Sequence, residues 1–409
     1  MSTHGRPGRV LYVTYDGLLE PLGASQVLPY VRRLAAAGVP MEILSFEKPE
    51  DVQAGGAVHA LKGALGAHGI GWTWFPYHRR PSLPATAWDV AAGRRHVARW
   101  ARAVSKDGVN GIVHARSYLP GLMGLAGRRH AGVRLLFDMR GFWVDERIED
   151  GYWAPGSLNV RLGRAVERTL LRKADHLVLL THRSAGRLPE LAGSPAIPSW
   201  TVVPTCVDLE KFTPAEDAAE ARRRVGLSRS PVLVHVGTLK GRYEGGRTME
   251  VARAFLERTA GSFIVLTRDL EESAALARRA GIDAVVKAVP SAQVPRWLQA
   301  ADVGIALMRT TPSKDASYPT KVGEYLAAGL AVLGTPVGDM ERLGGVEILR
   351  LMRDGDTPED AAAWLADAAA HPRRQALARG LAEASLGLDQ GVDALLGVYA
   401  TLGVAGSGA

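Results

Sequence analysis

The chain has 409 residues, 47% hydrophobic and 22% charged, enough for two cores of ordinary size and unlike a disordered or fibrous polymer. A single cysteine, Cys206, excludes an internal disulfide framework, and no run of 18 apolar residues offers a membrane span. The net charge of +8 comes mainly from scattered arginines, with no basic stripe interleaved with aromatics, so nucleic acid is a poor partner. Nucleotide diphosphates, or peripheral attachment to an anionic membrane face, suit that charge better. Met1–Arg9 leads into a strand without an apolar leader, which points to the cytoplasm.

Val10–Thr14 reads as a first strand, followed by the loop Tyr15–Ser25, a helix from Gln26 to Ala37 closed by Gly38, and a strand at Met41–Phe46. This is a βαβ opening, but Gly17 and Gly23 do not meet the G-x-G-x-x-G dinucleotide spacing. The aromatic segment Gly71–His78, followed by Arg79 and Arg80, suits an acceptor surface through Tyr77 and His78, or equally a core. Gly111–Ser117 is a strand ending in polar residues, with His114 and Arg116 near its end. Arg134–Arg147 is a strand running into a charged loop that holds Asp138 and Arg140. Open parallel sheets bind ligands beyond the carboxyl ends of their strands, where both groups fall, although Asp138 and Arg140 could simply pair with each other.

His176–Thr181 and Trp200–Pro204 are further strands, and residues 205–228 read as a linker with a short helix. Pro231–Val236 restarts the alternation and opens into Gly237–Arg247, a glycine-rich loop carrying Thr238, Lys240, Arg242 and Arg247 before a helix through about Arg258. Its composition suits a phosphate cradle without Walker spacing. Strands follow at Ser262–Thr267, Ala284–Val286 and Asp302–Ala306. The stretch Ser317–Thr335 then reads as loop, helix and strand: Pro319 opens the helix, Val322, Tyr325 and Leu326 repeat at helical spacing, and Gly329 closes it. Lys321 places a cation at that helix start, and Glu324 one turn on could take two sugar hydroxyls, so diphosphate plus ribose is the ligand the chemistry suggests. Beyond about 357 the chain is alanine-rich and helical, offers no chemistry, and should fray over its last five residues.

Together these segments resemble the retaining glycosyltransferases of family four, over nearly the whole chain. Pro319–Val332 is similar to that family's signature segment, and Val203–Phe212 to its linker motif, with Thr205-Cys206 in place of the usual Asn-Gly. Tyr15–Leu28, His114–Ser117 and Phe137–Trp143 with Asp145–Arg147 resemble a bacterial subgroup. The resemblance implies the α/β GT-B fold: two Rossmann-like doubly wound parallel-sheet domains facing across a cleft, here 1–205 and 206–409, with the terminal helix able to pack back on the first. It implies a metal-independent hexosyl transfer from a UDP- or GDP-sugar to a hydroxyl of a small-molecule, glycan or lipid-linked acceptor. It places Glu324 on the ribose, Lys240 or Arg242 with Lys321 on the phosphates, and Thr238 and Gly23 beside the diphosphate; the catalytic candidates are then Asp138, Arg140, Lys240 and Lys321, and the acceptor-side candidates are His114 and Arg116 with Tyr77 and His78 of the aromatic segment. A second family glutamate, eight residues before the ribose glutamate, is Ala316 here with Asp315 adjacent, and the family's catalytic-region histidine is not evident at Asp138–Arg140. Two alternatives are a GT-B sugar-nucleotide epimerase, which needs no acceptor, and a sugar-nucleotide-binding protein without transfer activity.

Overall fold

The structure is a computed structural model that describes residues 8–53, 55–80 and 82–406. The expectations of a leaderless start and a frayed tail fall largely on residues outside these ranges. The chain divides into two compact units. One runs to Pro204 and resumes at Asp389, and the other is Thr205–Leu388. No helix among the described residues is long and apolar enough to cross a membrane.

The first unit is built on seven parallel strands: β1 (Arg9–Thr14), β2 (Met41–Glu47), β3 (Gly71–Pro76), β4 (Gly111–Arg116), β5 (Val133–Met139), β6 (His176–Leu179) and β7 (Trp200–Val202). Their order is β3-β2-β1-β4-β5-β6-β7. Order reverses between β1 and β4, and such a switch point opens a crevice beyond the strand ends. Leu11, Val13, Val113 and Leu135 meet Val97, Ala101 and Val104 of the helix Ser82–Lys106 in one core cluster.

Two local expectations need correction. The aromatic segment at 71–76 is the edge strand β3, with Trp72 buried and its indole N–H donated to Ser45 at 2.8 Å. The helix expected at 26–37 is Leu28–Ala36, and the stretch read as the loop Tyr15–Ser25 holds a further short helix, Pro21–Gln26, just before it. Pro29 lacks the N–H that would continue the ladder, so the helix breaks at Val27.

The second unit has six parallel strands: β8 (Val232–Val236), β9 (Ser262–Leu266), β10 (Ala284–Lys287), β11 (Val303–Ala306), β12 (Ala331–Gly334) and β13 (Leu349–Leu351). Their order is β10-β9-β8-β11-β12-β13, with the reversal between β8 and β11. The segment read as a linker is integrated here. Val207 forms a bridge with Gly387, and Arg222 of the helix Ala218–Val225 makes two 2.7 Å hydrogen bonds to the Asp302 carboxylate.

Candidate functional site

In the second unit, the loop after β8 and the helix Thr320–Ala327 both begin at the switch point between β8 and β11. Fully buried Tyr325 fixes that helix against the sheet: its hydroxyl accepts the Val236 N–H at 2.7 Å, and its ring lies where a Cβ on Gly304 would sit, 2.3 Å away. Pro319 is the helix N-cap, and no side chain caps the first turn. Gly329 closes the helix in the left-handed region, φ 81°, as glycine at that position requires.

Lys321 therefore projects from an uncapped first turn, where the helix dipole disfavours a cation. Its side chain is buried, and its Nζ finds no hydrogen-bond partner among the described residues. Its Nζ lies over the Tyr243 ring, 3.7 Å from the centroid. Gly237, at φ 104°, brings the β8 loop so close that a Cβ there would stand 3.3 Å from Nζ. Burial drives the Lys321 pKa from 10.5 down to about 7, against the pull of Glu324. Glu324, half-buried, moves the other way: burial pushes it up to about 7, against Lys211 and Lys321. The Tyr243 ring and the Glu324 carboxyl group thus flank an ammonium with no hydrogen-bond partner among the described residues, beside a helix start, an arrangement suited to an anion with adjoining hydroxyls.

The other basic candidates stand differently. Lys240 is exposed and paired with Glu272 at 2.7 Å and Asp269 at 3.2 Å. Arg247 is turned to the carbonyl of Arg353 at 2.6 Å and is not free to face the loop interior. Arg242 lies near enough to Tyr243 to lower its pKa, against the larger effect of burial. Thr238 Oγ1 accepts the Lys240 N–H at 3.2 Å and shapes the turn. Gly245 opens the next helix with no room for a Cβ, which would lie 2.3 Å from the Leu239 carbonyl oxygen. Ala316 is buried in a short 3-10 turn, Pro312–Ala316, and Asp315 beside it is half-buried. Tyr243 and Lys211 were missed by the sequence reading. Lys211 lies inside the Val203–Phe212 motif, a signal that was available, whereas nothing set Tyr243 apart from other loop aromatics.

In the first unit, strand register aligns Tyr12 with His114 and Thr14 with Arg116 and Asp138 on one sheet face. Arg116 and Asp138, both buried, stand 3.7 Å apart, and Arg140 approaches the other carboxylate oxygen at 3.4 Å. Burial would raise the Asp138 pKa, but Arg140, with His114 and Arg116, holds it well below the usual carboxylate range. The suspected Asp138–Arg140 pair is thus real, and it sits within a larger cluster. Burial lowers the His114 pKa, against the pull of Asp138. Its Nδ1 lies 2.7 Å from the Tyr399 hydroxyl and its Nε2 is 3.6 Å from Asp138. Tyr399 comes from the last helix, Leu388–Thr401, which corrects the expectation that the chain beyond 357 offers no chemistry.

The loop after β1 is tied down by Glu47, whose buried carboxylate accepts the N–H groups of Leu18 at 2.8 Å and Leu19 at 3.2 Å. Gly23 meets this loop: a Cβ there would lie 2.0 Å from the Gly17 carbonyl oxygen, so packing alone demands glycine. His78 is held by buried Asp89 at 2.6 Å, and Asp89 also accepts the Tyr15 hydroxyl at 2.8 Å. Tyr77 packs edge-on to Tyr15, ring centres 5.3 Å apart. His78 and Tyr77 therefore form a group with Tyr15, while His114, Arg116, Asp138 and Arg140 form another.

Two Rossmann-like parallel-sheet units in one chain, each with polar residues at its switch point, define the GT-B class. Residues 23–206 match the model of the glycosyl transferase 4-like domain. The chain is 28% identical over 377 residues to the D-inositol 3-phosphate glycosyltransferase of Thermobispora bispora, covering 86% of this chain and 82% of that one. Sucrose-phosphate synthase of Thermosynechococcus elongatus superposes with a TM-score of 0.67 at 17% identity, covering 97% of this chain and 99% of that one. HepE of Anabaena, solved with UDP, gives 0.66 at 15% identity, covering 96% and 100%. The two units have the GT-B fold, and the chain is similar to family-four-type glycosyltransferases.

Proposed function

We propose that the protein transfers a sugar from a nucleoside-diphosphate sugar, with UDP or GDP as the carrier, to a hydroxyl of a small-molecule, glycan or lipid-linked acceptor. The transfer retains anomeric configuration and needs no metal. The observation that carries this reading is the buried Lys321 ammonium, left without a hydrogen-bond partner among the described residues at an uncapped helix start. A diphosphate would supply the missing acceptors and draw the lysine back to its charged form.

In this reading Glu324 takes the ribose hydroxyls, and Lys321, with Arg242, neutralises the diphosphate. Lys240 would first have to leave Asp269 and Glu272, so leaving-group charge falls to Lys321 before Lys240. That charge grows as the glycosidic bond breaks, so a cation already in place lowers the barrier. Retention follows from attack on the face that the diphosphate leaves, with the departing phosphate taking the acceptor's proton. Asp138, Arg140, His114 and Arg116 are assigned to the acceptor side. The UDP and UDP-glucose held in the Anabaena structures support the donor class.

Calorimetric titration with UDP, GDP and TDP tests the reading, and one of them should bind. Donor turnover should persist in EDTA, and the product anomer, read by NMR, should match the donor's. Absence of affinity for all three nucleotides would overturn the donor assignment. Activity lost in EDTA and restored by magnesium or manganese would overturn the metal-independent mechanism.

A further inference from the structure

Folding produces a basic stripe that is not evident as a stripe in the sequence. The helix Ser82–Lys106 buries Val97, Ala101 and Val104 on one side. Its outer side carries Trp88, Arg95, Arg99, Arg102 and Lys106, all exposed. Their spacing of seven, four, three and four residues puts them in one line, about 27 Å long at helical rise. The helix has a single acidic residue, Asp89, which is buried and bound to Tyr15 and His78. The nearest exposed carboxylate in the chain, Asp107, lies beyond the helix and pairs with Arg9.

Arginines elsewhere find carboxylates, as Arg128 does at Asp175, Arg222 at Asp302 and Arg379 at Glu383. Arg95, Arg99, Arg102 and Lys106 have no ion pair among the described residues, although like charges three and four apart destabilise a helix. Arg95 and Arg99 also flank a shallow groove of about 440 Å³ floored by Phe75, Ala92 and Ala98. At the other end the line continues in Trp88, 64% exposed, with Arg79 and Arg80 exposed just before the helix.

We propose that this helix face docks on an anionic lipid surface. The four cations meet headgroup phosphates, the groove between Arg95 and Arg99 admits one of them, and Trp88 enters the interface. Tryptophan is favoured at that depth because its ring is apolar and its N–H polar. A nucleic acid would satisfy the cations but leave Trp88 in water. The inference is independent of donor and acceptor identity, since none of these residues belongs to the proposed site.

The test is co-sedimentation of the full chain with vesicles of phosphatidylcholine alone or mixed with phosphatidylglycerol. Binding should require the anionic lipid and weaken with salt. Arg95→Glu with Arg99→Glu should lower the vesicle partition coefficient at least about 25-fold, at roughly fivefold per basic residue lost. The control is Arg253→Glu with Arg258→Glu, two exposed arginines of the helix Gly245–Thr259, which makes the same net charge change and should keep most binding. Trp88→Ser should weaken binding at constant salt. Circular dichroism and melting temperature establish that each variant is folded. Failure to bind anionic vesicles, or equal loss in both charge variants, would overturn the proposal. Tighter binding to duplex DNA through the same residues would assign the face to nucleic acid instead.

Discussion

Replacing Lys321 by methionine should separate stability from binding, and in opposite directions. The side chain is buried, uncapped and without a hydrogen-bond partner, and its pKa falls from 10.5 to about 7. A native pKa below the unfolded one means the unfolded chain binds more protons, so stability rises with pH across that window. The cost of burying the charge is therefore fully present below about pH 7 and vanishes towards pH 10.5. A shift of that size corresponds to about 4 kcal/mol near neutral pH as an upper bound. The Tyr243 contact returns about 1 kcal/mol of it. Lys321→Met keeps the volume and removes the charge, so the ligand-free protein should gain about 1–3 kcal/mol at pH 7. For a unit of this size that raises the melting temperature by about 3–10 °C. The gain should shrink as the melts are repeated towards pH 10. The same variant should lose most of its affinity for UDP or GDP, measured by calorimetry. In the wild type, a bound diphosphate should draw a proton onto Lys321 above pH 7, detected by titration in buffers of different ionisation heat. A less stable variant that binds nucleotide normally would refute the reasoning, because Lys321 would then be a structural residue.

Glu324→Gln should weaken nucleotide binding by about 1.5–3 kcal/mol, the worth of a charge-assisted hydrogen bond, and unchanged calorimetric affinity would remove Glu324 from the ribose. Asp138→Asn leaves Arg116 and Arg140 without their shared carboxylate and should cost about 3–5 kcal/mol in denaturant melts, with UDP affinity retained. The native pKa of Asp138 is depressed, so its contribution in the wild type is present above the ordinary carboxylate pKa and is lost only on acidification below it; a variant with unaltered acid unfolding would contradict this. Gly23→Ala drives a Cβ into the Gly17 carbonyl and should lower the melting temperature by several degrees, with loss of transfer; a neutral outcome would show that the loop shifts freely.

Periodicity and punctuation in the sequence determined most of the architecture. Apolar runs such as Val10–Thr14 and Val232–Val236 are buried on both faces, and that marks them as parallel strands without knowledge of their neighbours. Gly329 and the Lys321–Glu324 spacing were equally legible, since helix caps and one-turn neighbours are local properties. Strand β13, by contrast, is three residues long and carried no pattern to read. The break at Val27 was visible in Pro29 but outweighed by the helical run around it. What the linear order could not supply was partnership. The sequence shows Lys240 in a glycine-rich loop but not that Asp269 and Glu272 are brought beside it from farther along the chain. Lys321 is notable because its Nζ has no such partner among the described residues, and only packing decides that. Tyr399 reaches His114 across 285 positions, and Arg95, Arg99 and Arg102 form a line only when the helix winds them onto one face. Local propensity acts through bonded neighbours, whereas desolvation and charge pairing depend on distances in space that tertiary structure alone sets.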